Sequence, residues 1–184
     1  DEVDAHLFRY GESQLKLLVG IPRQHMGGYE CFTEENGRAF FHELVSSLRQ
    51  FEDFIIVDIG QDANVPLHLA ALEFADYVYV VVTPDRSSML ATREALDTLF
   101  KHVKLARTKF RLIINRYHDS SGISRAEIVK ALDMPEIATI PDGGPAVSNI
   151  VNSGKPLMMD HRGQVADSII SIASTIYPPT RDIW

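Results

Sequence analysis

A chain of 184 residues with 45% apolar and 23% charged side chains has the balance of one well-buried globular domain, too short for a second independent core. Its formal net charge of −7 argues against a dedicated nucleic-acid binder. The single cysteine, Cys31, excludes a disulfide framework and any multi-cysteine zinc or iron–sulfur centre within one chain, which fits a reducing cytoplasm.

No run approaches the roughly 18 apolar residues of a membrane span. The opening "DEVDAH" has neither an initiator Met nor a signal-peptide pattern, so the chain is expected to be part of a longer protein. Leu15 to Ile21 ("LKLLVGI"), stopped by Pro22, reads as a strand. Phe40, Phe41, Leu44, Val45, Leu48 and Phe51 recur at helical spacing, which predicts a helix from Glu35 to Gln50. Phe54 to Ile59, within "FIIVDIGQD", reads as a strand buried on both faces that delivers Asp58 to its end. Pro66 suits the first turn of the next helix, continued by Leu67, Ala70, Ala71 and Phe74. Tyr77 to Val82 ("YVYVVV") carries the strongest strand signal of all.

The second half repeats the alternation. Ser87 or Ser88 is the expected cap of a helix with Leu90, Ala91, Ala95, Leu99 and Val103 on one face. Arg111 to Asn115 is the next strand. Ser124 and Glu127 have capping-box spacing ahead of Ile128, Val129 and Leu132. Glu136 to Ile140 is a short strand stopped by Pro141. Pro145 opens a helix for which Gly154 is the expected left-handed cap. A last helix runs from about Gln164 to Ile176, with Val165, Ile169, Ile172, Ala173 and Ile176 inward.

Strand then helix, five times over, specifies a single α/β domain: three layers, with a mostly parallel sheet and helices on both faces. Ligands of such sheets sit outside the carboxyl ends of the strands. The residues to weigh are therefore Asp58 to Asp62, Thr83 to Asp85, Asn115 to Tyr117 and Pro141 to Gly144. A phosphate loop would read G-x-x-x-x-G-K-[ST] between a strand and a helix. The nearest match, Asn152-Ser153-Gly154-Lys155-Pro156, has Asn149 in place of the first glycine and Pro156 in place of the hydroxyl residue. Gly27-Gly28 has no lysine or hydroxyl after it and reads as a turn. The seven histidines show no metal-ligand spacing, and no serine sits in a G-x-S-x-G elbow.

In order, "FEDFIIVDIG", "ALEFADYVYVVVTPD", "RLIINRY" and "ATIPDGGPAVSNIVNSGKPL" resemble the later motifs of the MinD/ParA-type P-loop ATPases. "SQLKLLVGIP" and "TPDRSSMLATREALDTL" look most like the CpaE/TadZ branch, proteins that help localise and assemble Flp-type pili. The resemblance implies a Rossmann-like P-loop NTPase fold, with ATP and Mg2+ as ligands. It makes Asp58 the catalytic acid held near the magnesium, Gly60, Gln61 and Asp62 the switch that senses the γ-phosphate, and Asn115, Arg116, Pro141 and Asp142 the nucleotide-binding residues. A second-shell carboxylate suits a cation that keeps its waters, and an amide offers both donor and acceptor to a base edge.

The family's lysine-bearing loop is absent from this sequence. The resemblance therefore implies that the chain begins after that loop, or that a non-catalytic scaffold with a degenerate nucleotide site has replaced the ATPase. Expected partners are a second copy of the chain and pilus or secretion-system proteins. The ending "YPPTRDIW" cannot form a basic amphipathic membrane helix, so no direct membrane anchor is expected. A ParA-like DNA-partitioning ATPase is the remaining alternative. It would use Lys101, Lys104, Arg107, Lys109 and Arg111 as a nonspecific DNA surface.

Overall fold

A computed structural model describes residues 3–11, 13–19, 33–60, 65–101, 103–160 and 163–177. The chain divides into two compact units, residues 1–75 and 76–184.

The first unit begins with a small hairpin. Strand β1 (Phe8–Arg9) pairs antiparallel with β2 (Lys16–Leu17), Phe8 opposite Leu17. The predicted strand at Leu15 is thus only two residues long where it is described. Helix α1 (Glu34–Leu48) starts at Thr33, whose hydroxyl accepts the Asn36 N–H at 3.3 Å. Glu34 and Glu35 then place negative charge on the positive end of the helix dipole. Helix α2 (Pro66–Phe74) opens on the predicted proline. The two helices meet through Phe41, Ala70 and Ala71, with Val45, Ile59 and Phe74 packed around them. Alanines at the contact let the helices approach, and the Phe41 and Phe74 rings stack 6.3 Å apart. Arg38 and Glu73 form an ion pair across the same contact.

One expectation fails in this unit. Residues 54–59 form no strand, and their side chains are not doubly buried: Phe54 is 50% exposed, Ile56 91% and Val57 46%. Apolar, β-branched residues supply propensity for a strand, but a strand exists only against a neighbour that takes up its ladder. Ile59 alone of this run reaches the helical core.

The second unit carries the parallel sheet. Strands β3 (Val78–Val82), β4 (Phe110–Tyr117) and β5 (Glu136–Pro141) lie in that order, parallel throughout, with Val80 opposite Leu112 and Ile114 opposite Thr139. The connections are helices α3 (Arg86–Lys101) and α4 (Arg125–Leu132), as parallel strands require. Leu112 and Ile114 of the central strand are fully buried, together with Val82, Phe110 and Ile128. Helices α5 (Gly144–Asn152), α6 (Leu157–Asp160) and α7 (Gln164–Ile176) follow, α7 packing against β5. The architecture is the expected three-layer α/β arrangement.

Caps explain where these helices start. Ser124 and Glu127 form the predicted capping box: the Ser124 hydroxyl accepts the Glu127 N–H at 3.3 Å, and the Glu127 carboxylate accepts the Ser124 N–H at 2.8 Å. Ser124→Ala is expected to lower stability by about 1 kcal/mol, read as a shifted urea midpoint for the second unit. The cap of α3 differs from expectation. Asp85, not Ser87 or Ser88, accepts the Ser88 N–H at 2.8 Å, because a carboxylate three residues ahead reaches the orphan N–H more directly. The inward face of α3 also rotates. Leu96 and Leu99 are buried while Leu90 is 61% exposed and Ala91 is exposed.

Candidate functional site

The carboxyl ends of β3, β4 and β5 present three loops. After β3, Thr83 donates its hydroxyl proton to Asp85 Oδ2 at 2.5 Å, and the Ser88 hydroxyl accepts the Thr83 N–H at 3.2 Å. The Thr83 hydroxyl first, then the Ser88 N–H, holds the Asp85 carboxyl below the usual carboxylate range. All of these bonds are local, so this loop is a rigid start for α3, and it supports the site without offering free donors from Thr83.

The second loop is the irregular one. The β4–β5 register shifts between Ile114 and Tyr117. Within that shift Arg116 adopts φ 54°, a left-handed conformation that a residue with a Cβ seldom takes. Its N–H donates to Oδ1 of the half-buried Asn115 at 3.0 Å. Bulges of this kind re-aim side chains at strand ends.

The third loop is tied to the second. Tyr117 lies opposite Pro141 in register, and the Asp142 N–H donates to the Tyr117 carbonyl at 3.0 Å. Asp142 in turn accepts the Gly144 N–H at 3.0 Å through Oδ1. Gly144 sits at φ 56°, which only glycine adopts without strain. The structure therefore brings Asn115, Arg116, Pro141 and Asp142 into one cluster. The Asp142–Tyr117 bond and the Arg116 backbone had no signal in the sequence, since a bulge is set by the pairing register rather than by a residue pattern.

The remaining predicted residues lie in the first unit. Asp58 and Gly60 are exposed, in the irregular segment that precedes α2. A Cβ at Gly60 would stand 3.2 Å from His68 Cε1. Gln61 and Asp62 lie outside the described residues, as do Gly27, Gly28 and Cys31. Among the described residues no group of three His, Cys, Asp or Glu side chains could hold a metal ion. A carboxylate that acts on a cation through water needs no such group.

Fit to a nucleotide is uneven. The strand-end cluster offers an amide, backbone donors and acceptors, and a proline surface, which suit a planar base. The near-match to a phosphate loop is a helix end, as expected: Gly154 has φ 72° and its N–H reaches the Val151 carbonyl at 3.0 Å. The basic segment is largely committed to the protein itself. Lys101 pairs with Asp97 at 3.0 Å. Arg107 pairs with Asp133 at 3.3 Å and stacks over Phe100 at 4.3 Å. Arg111 donates to the carbonyls of Thr108 and Phe110.

By sequence, the chain matches no family model and no curated protein. By structure, it is similar to a ParA-family ATPase from Chlorobium tepidum TLS, with a TM-score of 0.76 and 23% identity over 94% of this chain and 68% of that one. It is also similar to the cell-division protein MinD of Aquifex aeolicus, with a TM-score of 0.66 and 22% identity over 83% of this chain and 64% of that one. The same MinD is matched in complex with MinC, over 62% of its length. MinD of Pyrococcus horikoshii OT3, complexed with Mg-ADP, gives a TM-score of 0.70 and 18% identity over 97% of this chain and 70% of that one. The chain thus spans roughly two thirds of the length of the proteins it matches. Identities this low speak to architecture alone, and on that architecture the chain has the three-layer α/β fold of the MinD/ParA P-loop ATPases.

Proposed function

We propose that this chain is an ATP-binding protein of the MinD/ParA kind, of the CpaE/TadZ type, which acts as a homodimer in localising and assembling a Flp-type pilus or secretion system. The observation that carries the nucleotide reading is the cluster of Asn115, Arg116, Pro141 and Asp142. Arg116 is hydrogen-bonded to Asn115, and the next residue, Tyr117, lies opposite Pro141 and accepts the Asp142 N–H, all at the carboxyl ends of parallel strands, where such folds receive ligands. Asn115 would contact the base, with Pro141 and Asp142 passing over its other side. A bound magnesium would neutralise phosphate charge, and Asp58 would orient its waters while Gly60, Gln61 and Asp62 respond to the γ-phosphate.

The pilus assignment rests on the sequence resemblance alone. Dimerisation is supported by an open apolar surface in the second unit. Among the described residues β3 is an edge strand, with Val81 56% exposed and Tyr77, just ahead of the strand, 57% exposed. Edges of that composition are completed by a further strand or a second copy. A second reading is a scaffold that retains the base side of the site without turnover. The DNA-partitioning reading loses support from the internal pairing of Lys101, Arg107 and Arg111.

Calorimetric titration of the 184-residue chain with Mg-ATP tests the nucleotide reading. Saturable binding supports it, and the reading is overturned when neither this chain nor a longer protein that carries a phosphate loop ahead of it takes up ATP. Asp58→Ala is expected to leave binding in EDTA unchanged and to lower the affinity gained from magnesium by about tenfold, of the order of one charge-assisted interaction. An unaltered magnesium dependence removes Asp58 from that role.

A further inference from the structure

We draw no further inference here: the strongest candidate, the cleft between α1 and α2 lined by Glu34, Glu35, Arg38 and Glu73 over Leu69 and Ala70, is a cluster of acidic side chains at a helix start, and nothing else among the described residues points to a ligand there.

Discussion

Ile114→Ala is expected to destabilise the second unit by about 3 kcal/mol, within the range for emptying a large aliphatic side chain from a packed core. Ile114 is completely inaccessible, and it sits in the central strand opposite Val82 on one side and Thr139 on the other. Neighbours in both flanking strands are held by ladder hydrogen bonds and cannot collapse into the space, so most of the lost volume remains as cavity. Urea denaturation followed by hydrogen exchange at the β4 amides reads the effect from the unit concerned. Leu90→Ala is the matched control. At 61% exposure it should change stability by no more than about 0.5 kcal/mol. Equal effects at the two positions would show that β4 is not the centre of this core.

Gly143→Ala is expected to cost about 2 kcal/mol and to disturb the candidate site as well. A Cβ at Gly143 would lie 2.2 Å from Cγ2 and 2.7 Å from Cβ of Val147, with Cγ2 of Val165 at 3.2 Å behind. Carbon atoms in favourable contact stand about 3.5–4.0 Å apart. Turning χ1 of Val147 can move its methyl groups but not its Cβ, which is fixed to the α5 backbone. The first turn of α5 must therefore shift. The residue before it is anchored by the Asp142–Tyr117 bond, so the strain passes into the loop beside Asn115. The expected outcome is a lower urea midpoint together with altered amide resonances for Tyr117 and Asp142 and weakened ATP binding. Unchanged resonances at those two residues would mean that α5 moves independently of the site.

Local chemistry makes much of this protein legible in its sequence. The helix at Pro66, the capping box at Ser124 and Glu127, the strand at Tyr77 to Val82 and the left-handed Gly154 all depend on contacts within a few residues, and they stand where the sequence places them. The alternation of strand and helix signals was enough for the fold class, because parallel strands admit few other arrangements. Three things needed the folded chain. Asp85 took the α3 cap from the two serines that follow it, a competition among neighbours that spacing does not rank. Residues 54–59 open on an uninterrupted apolar run yet form no strand, since pairing is a property of two segments and composition describes one. The Asn115–Arg116 turn arises from a register shift against β5, some twenty residues away in sequence. By itself the sequence determined which segments are helical, which run apolar and where the strand-end loops fall. Only the tertiary structure decided which of those loops touch and which way the Asn115 amide faces, because long-range pairing sets the backbone there and local propensity does not.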